Sequence, residues 1–184
     1  MKPRELIDFL TVAERLKDAT RHCYTSGGRR ESVAEHCWMT ALAAMMIKDN
    51  FPEADSDKII KMCLIHDLGE CFTGDIPTFD KTAEDEKVEE TLLYKWVEGL
   101  PEKESEELLK LYDEMSSQKT LESKIYKALD GLEALIQHNL SDLSTWTDKE
   151  RAVNATYHND KVTFSEYFKE LREEIKKDTL KKLS

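Results

Sequence analysis

The sequence predicts an all-α protein that forms a single helical domain. Its 184 residues suffice for one domain with a proper core, and glycine and proline are scarce, at 6 and 4 residues. Apolar residues recur at helical spacing, and no stretch alternates like a β-strand over a useful length. Helix-capping pairs and Gly or Pro breaks then divide the chain into successive helices.

The predicted helices follow one another along the whole chain. Apolar residues from Leu6 to Leu16 mark the first. Ser32 and Glu35 form a capping-box pattern, which starts a second helix that runs to about Asn50 and is apolar on almost every side. We therefore expect this second helix to be central and buried. Further helices are predicted over Asp55–Glu70, Ala83–Gly99, Glu102–Met115, Leu121–Asn139, Lys149–His158 and Phe164–Lys182, with a loop over Thr73–Lys81.

Charge and composition exclude several classes of partner. With 38 acidic against 27 basic residues, the net charge of -11 repels phosphate backbones, so we expect no binding to bulk nucleic acid. A small phosphate remains possible where a cation and arginines hold it locally. The longest apolar run, Cys37–Ile47, is too short for a membrane span, and the N-terminus lacks a secretory signal pattern. Four cysteines without a CxxC pair predict reduced, mostly buried thiols in a cytoplasmic protein.

The stretch "LIHDLGECFTGDIP", residues Leu64–Pro77, ends an apolar run with a histidine and several acids. At helical spacing His66, Asp67 and Glu70 point to the side that the third predicted helix buries. Buried acids need a counter-charge, so this segment either reaches the surface or holds a cation. His36 also faces inward on the second predicted helix. A mixed histidine and carboxylate cluster suits one divalent ion such as Mn, Co, Fe, Ni, Zn or Mg.

Three segments, "ESVAEHCW", "LIHDLGECFTGDIP" and "KALDGLEAL", resemble the HD superfamily of metal-dependent phosphohydrolases with its H…HD…D pattern. The closer likeness is to its bacterial 5'-deoxynucleotidase-like branch, and it covers about residues 16–139. The resemblance implies one HD-type helical bundle over 1–184, with helices of 147–184 packed on the motif core, and a homodimer. It also implies a single divalent metal, held by His36, His66, Asp67 and Asp130.

The resemblance assigns roles that the residues alone leave open. Periodicity places Asp130 opposite the apolar stripe of its helix and predicts a solvated residue, whereas the resemblance makes it the fourth ligand. Acids matching Glu70 and Asp75 perform the proton transfers in the resembled branch. Which of the two is the acid and which the base stays open.

The segment before the second helix offers candidates for substrate binding. Arg21 and Arg29 can bind a phosphate with two parallel hydrogen bonds. The resembled branch has an Arg-Trp pair at Arg21 and His22, so this sequence keeps the arginine and replaces the aromatic residue by histidine. A basic loop that merely solvates an acidic protein is the alternative interpretation.

The implied activity is removal of the 5'-phosphate from (deoxy)nucleoside 5'-monophosphates by a metal-activated water. The partner is then a small phosphorylated metabolite, in this case a nucleotide. Two alternatives stay open at this point. One is hydrolysis of another phosphorylated metabolite, such as a nucleoside triphosphate or a guanosine alarmone. The other is a metal- or nucleotide-sensing module without turnover.

Overall fold

The computed structural model describes residues 1–184, and most of them lie in helices. Two short strands, β1 (Thr20–Tyr24) and β2 (Arg30–Ser32), form an antiparallel hairpin before the second helix. The prediction of an all-α fold is thus confirmed, with this hairpin as an addition. The helices are α1 (Pro3–Ala13), α2 (Val33–Ile47), α3 (Ser56–Ile65), α4 (Glu70–Thr73), α5 (Ala83–Glu98), α6 (Glu102–Ser117), α7 (Leu121–Leu140), α8 (Asp148–Val153) and α9 (Glu166–Leu183).

The β1–β2 hairpin gave no signal in the sequence pattern. Its inward side chains on β1 are Arg21 and Cys23, so the strand buries a charged residue where the pattern would need an apolar one. The turn uses Gly28 at φ 84°, a left-handed conformation that glycine adopts without steric cost. The Thr25 amide closes the turn by donating to the Arg29 carbonyl at 2.7 Å.

Helix α2 begins at the predicted capping box. The Glu35 amide donates to Ser32 Oγ at 3.3 Å, and Glu35 Oε2 accepts from the Ser32 amide at 2.9 Å. The expectation of a central, buried helix holds for one face only, which packs on α3 and α7. Trp38 and Met46 on the other face are 57% and 70% exposed.

Helix α3 ends at Ile65, before the predicted end at Glu70. From there the backbone makes tight turns, in which the Leu68 amide donates to the Ile65 carbonyl at 3.1 Å and the Glu70 amide to the Asp67 carbonyl at 3.0 Å. Tyr112 Oη also donates to the Ile65 carbonyl, at 2.8 Å, and so satisfies a group at the helix end. Asp67 therefore lies in this turn, between α3 and α4, and is not in a helix.

Helix α7 lies at the centre of the molecule, in contact with α2, α3, α6 and α9. It buries Leu129 and Leu132 together with the polar residues Glu133 and Gln137, so the helix has no wholly solvated face. The predicted helix over Lys149–His158 was too long, because α8 ends at Val153 and turns follow it. The four cysteines are buried and unpaired, and no helix combines the length and apolar character that a membrane span requires.

Candidate active site

The structure brings together the four side chains that the sequence analysis proposed as metal ligands. His36 comes from α2, His66 and Asp67 from the turn that follows α3, and Asp130 from the middle of α7. His36 Nε2 lies 3.2 Å from both His66 Nε2 and Asp130 Oδ1. Asp67 Oδ2 lies 3.3 Å from His66 Nε2 and 3.9 Å from His36 Nε2. Two nitrogens and two oxygens therefore face a common point.

The other ring nitrogen of each histidine has a fixed partner. His36 Nδ1 contacts the Glu133 carboxylate, and His66 Nδ1 donates to the Cys63 carbonyl at 2.9 Å. These contacts assign the hydrogen to Nδ1 and leave the Nε2 lone pairs for a ligand. Donor atoms at about 2.0–2.2 Å from one ion stand roughly 3.0–3.5 Å apart, and three of the distances here fall near that range. The donor set therefore fits a divalent metal ion.

The carboxylate of Asp130 is shared between this cluster and a lysine. Its Oδ2 accepts from Lys127 Nζ at 2.8 Å. Burial by itself would raise the pKa of Asp130, but Lys127 and the two imidazoles hold it well below its usual value. The periodicity argument for a solvated Asp130 was wrong, since α7 is buried on both faces and the side chain is only 17% exposed.

Glu70 begins the short helix α4, and Asp75 follows Gly74 at the other end of that helix. Glu70 is buried, and its Oε2 has no hydrogen-bond partner. Burial, with Asp67 and Asp75 nearby, raises the pKa of Glu70 to about 9. A bound divalent cation would oppose that rise. Burial also raises the pKa of Asp75, while Arg21 opposes that rise. Gly74 at φ 73° ends α4 and directs the chain so that Asp75 reaches the same pocket.

The pocket beside the cluster has a volume of about 300 Å³, and its walls include Glu70, Asp75 and Arg21. Arg21 is buried, with Nη1 3.6 Å from Asp67 Oδ2 and Nε 3.4 Å from Glu31 Oε2. Its Nε lacks a hydrogen-bond partner. His22 lines the pocket as well.

The structure does not bring Arg29 to this pocket. Its guanidinium forms an ion pair with Glu35 at the surface, and its side chain is 63% exposed. The reason is local, because the turn at Gly28 carries Arg29 to the outer end of the β1–β2 hairpin.

Sequence analysis missed several groups around the pocket. Lys127 and Glu133 lie three residues before and after Asp130, and this spacing on a helix was the available signal. His158, to which the sequence analysis gave no role, lines the pocket and donates from Nε2 to the Lys127 carbonyl at 2.9 Å. Its ring covers Gly131, where an added Cβ would come within 2.3 Å of it. The contact between His158 and Gly131 is visible only in the folded structure.

Comparison with known proteins assigns this fold and site to a class. A family model described as the HD domain matches residues 13–172, and the chain belongs to that family. The chain is 35% identical over 138 residues to 5'-deoxynucleotidase HDDC2 of Homo sapiens, covering 73% of this chain and 67% of that protein. It is 30% identical over 141 residues to 5'-deoxynucleotidase HDDC2 of Dictyostelium discoideum, covering 71% and 74%.

Two solved structures share the fold. A predicted metal-dependent phosphohydrolase from Magnetospirillum magnetotacticum superposes with a TM-score of 0.83 at 22% identity, over 97% of this chain and 95% of that one. A conserved hypothetical protein from Pyrococcus furiosus superposes with a TM-score of 0.72 at 29% identity, over 93% and 99%. Both proteins therefore share the fold of this chain over almost its whole length.

Proposed function

We propose that the protein is a metal-dependent phosphomonoester hydrolase that removes the 5'-phosphate from (deoxy)nucleoside 5'-monophosphates. One observation carries the proposal: two imidazole nitrogens and two carboxylate oxygens converge at the wall of a pocket of about 300 Å³ that also contains Glu70, Asp75 and Arg21. The name 5'-deoxynucleotidase that the relatives carry supports the substrate class.

In this proposal His36, His66, Asp67 and Asp130 hold one divalent ion. When bound, the ion supplies Lewis acidity toward a phosphate oxygen and lowers the pKa of a coordinated water. The chain's own contribution is the fixed orientation of the ligands. Glu133 and the Cys63 carbonyl hold the two imidazoles with their Nε2 atoms toward the ion, and Lys127 holds the second oxygen of Asp130.

Glu70 and Asp75 are the proposed proton-transfer groups. Glu70 has a buried oxygen without a partner, so that oxygen is free to accept a proton from the attacking water or to orient it. Asp75 lies just beyond the other end of α4 and is the candidate for protonating the leaving 5'-oxygen. The two roles can also be exchanged between them.

Arg21 is the proposed phosphate contact, and Arg29 is excluded from that role by its position. The Arg21 guanidinium lines the pocket, and its Nη1 is already adjacent to Asp67. A fixed positive charge here balances the charge that grows on the phosphate oxygens during hydrolysis. The pocket volume lies at the lower end of the range for small-molecule sites, which suits a mononucleotide more than a larger ligand.

The first test is a metal and substrate matrix. We would strip the protein of metal, reload it with Mn, Co, Ni, Zn or Mg, and measure phosphate release from deoxy- and ribonucleoside 5'-monophosphates. We expect phosphate release that depends on the metal. His66→Ala should lose both the metal and phosphate release. Glu70→Gln should retain the metal but release phosphate at a roughly 10²–10⁴-fold lower rate.

Two outcomes would contradict the proposal. Tight metal binding without release from any monophosphate would redirect the search to triphosphates, guanosine alarmones or a sensing role. An inactive His66→Ala protein with full metal occupancy would overturn the ligand assignment. Glu122→Gln on α7, remote from the pocket walls, is the matched control for loss of a carboxylate.

We further propose that two copies of the chain associate through the outer face of α2. Trp38, Met45 and Met46 lie on that face at helical spacing and are 57%, 47% and 70% exposed. Large apolar side chains gathered on one exposed face are typical of a protein interface. The cytoplasmic location stays a prediction from the sequence.

A further inference from the structure

A second group of potential metal ligands lies in the pocket wall, away from the HD residues. It consists of His22 and Cys23 on β1, His138 near the end of α7 and Glu150 on α8. The Cys23 sulfur lies 3.6 Å from His138 Nε2 and 3.8 Å from His22 Nε2. Glu150 Oε1 lies 3.6 Å from both imidazole Nε2 atoms. The ligand atoms of His22, Cys23 and His138 thus lie within 4.8 Å of one another, and Glu150 Oε1 adds an oxygen beside the two imidazoles.

The Glu150 carboxylate and the two imidazoles do not hydrogen-bond to one another, and the only hydrogen-bonding partner that the imidazole Nε2 atoms share is the Cys23 thiol, a weak donor. A nitrogen-to-oxygen distance of 3.6 Å is too long for a hydrogen bond, so Glu150 Oε1 is bound to neither imidazole. The thiol of Cys23 makes at most weak contacts at its distances. His22 Nδ1 is buried and has no partner, so nothing in the chain fixes the tautomer of that ring. Cys23, His138 and Glu150 are all almost fully buried, which makes unsatisfied groups costly.

The same distances match a tetrahedral metal site. Zinc ligands stand at about 2.3 Å for sulfur and about 2.0–2.2 Å for nitrogen and oxygen, which separates neighbouring ligand atoms by roughly 3.3–3.6 Å. The observed separations of 3.6–3.8 Å need only a small inward movement to meet that geometry. We propose that His22, Cys23, His138 and Glu150 form a second metal site, selective for a thiolate-binding ion such as Zn²⁺.

The surroundings favour neutral imidazoles and orient the Glu150 carboxylate, and both effects suit metal binding. Burial lowers the pKa of His138 to about 4 and also lowers that of His22, so both imidazoles are neutral at pH 7. Glu150 Oε2 accepts from the Thr147 amide at 2.5 Å and from Thr147 Oγ1 at 2.8 Å in the capping box of α8. The capping box thereby turns Oε1 toward the cluster. Burial raises the pKa of Cys23 to about 12, so metal binding must displace the thiol proton into solvent.

The proposed site is separate from the HD cluster. His138 follows Asp130 by two turns of α7, which places it roughly 12 Å further along the helix axis at 1.5 Å per residue. The HD cluster offers nitrogen and oxygen donors, whereas this site includes sulfur. With four protein ligands it has no open position, so we assign it a structural role: it would join β1, α7 and α8 around the pocket.

Cobalt substitution distinguishes the two sites in one sample. Apo protein would be titrated with Co²⁺ under reducing, air-free conditions, and bound metal counted by elemental analysis after desalting. We expect a sulfur-to-cobalt charge-transfer band in the near ultraviolet and two ions per chain. Cys23→Ser should lose the band and one ion, while His66→Ala should keep the band and lose the other ion. Cys71→Ser, at another buried and unpaired cysteine, is the matched control and should behave as wild type.

Several outcomes would overturn the proposal. A single bound ion without a charge-transfer band in the wild-type protein is one such outcome, and an unchanged band in Cys23→Ser is another. If circular dichroism shows that Cys23→Ser is unfolded, His138→Gln is the deciding variant. It retains the thiol but should weaken Co²⁺ binding and shift the charge-transfer band. Zn²⁺ should also raise the Tm of His66→Ala, and the same addition should leave the Tm of the Cys23→Ser, His66→Ala double variant unchanged. These readouts do not depend on phosphate release, so they stand apart from the test of the proposed function.

Discussion

At His36 a single hydrogen decides which nitrogen is available to a metal. The buried Glu133 carboxylate contacts Nδ1, and this contact leaves Nε2 facing His66 and Asp130. Without that contact the ring could carry its hydrogen on Nε2 and present no lone pair to the cluster. Glu133 thus acts on the proposed metal through His36, as a positioning residue.

We predict that Glu133→Gln lowers metal affinity by roughly 10–100-fold, the usual effect of losing a partner behind a metal-binding histidine. A glutamine can present its NH₂ group to Nδ1 and so favour the wrong tautomer. The measurement is competition for Zn²⁺ or Co²⁺ against a chromophoric chelator, with Glu122→Gln on the same helix as control. Equal affinity in wild type and Glu133→Gln would show that the Cys63 contact and the carboxylate ligands suffice.

Single-residue chemistry was predictable where the residue type itself carries the signal. Residue type and helical spacing pointed to His36, His66 and Asp67, whereas the ligand role of Asp130 and the proton-transfer roles of Glu70 and Asp75 came only from the resemblance to the HD superfamily. Glu133 and Lys127 do not, because their meaning comes from partners on another helix or from a shared carboxylate. His158 reaches the pocket through a turn at φ 67° that no periodicity describes.

The position of His36 depends on the first turn of α2, because His36 directly follows the capping-box residue Glu35. Glu35 accepts from the Ser32 amide and from Arg29, and these bonds lower its pKa to about 2, chiefly through the Arg29 contact. The folded-state pKa thus lies below the ordinary glutamate value of 4.5, so the unfolded chain takes up the proton first as the pH falls.

We predict that Glu35→Gln removes a stabilisation that is fully present above about pH 4.5 and is lost as the pH falls from there toward 2. Because the Glu35 side chain is 39% exposed, we expect a difference of about 1 kcal/mol or less at neutral pH. Urea unfolding across this pH range measures it, and Glu173→Gln on α9 controls for loss of a surface charge. A difference that grows on acidification would contradict the argument.

Element boundaries explain where sequence patterns failed. Continuing α3 to Glu70 assumed one helical stripe, but the chain changes to tight turns after Ile65. For α7 the periodicity picked the apolar face correctly, yet the second face is buried too, and its polar residues are the ones that build the site. Apolar periodicity reports only burial against other apolar groups, so a polar interior is invisible to it.

For the whole molecule, the exposed face of α2 is the feature that a single chain leaves unexplained. We predict that the wild-type protein is a dimer in sedimentation equilibrium. Trp38→Lys or Met46→Lys should weaken association by roughly tenfold or more, since a charge at the centre of an apolar interface costs about 2 kcal/mol or more. Leu180→Lys on α9, also at an exposed leucine, is the control. A monomer at all concentrations, or a dimer insensitive to both substitutions, would place the interface elsewhere or remove it.

The arrangement of the pocket also has a consequence for how the protein is made. The last proposed HD ligand in chain order is Asp130, whereas the pocket wall also includes Glu150, Tyr157 and Lys161. A ribosome therefore completes the HD ligand set before it has produced the wall on the far side of the cavity. The nascent chain acquires the proposed HD ligands first and the last part of the pocket wall later, and the proposed second metal site waits for the same late segment because Glu150 belongs to it.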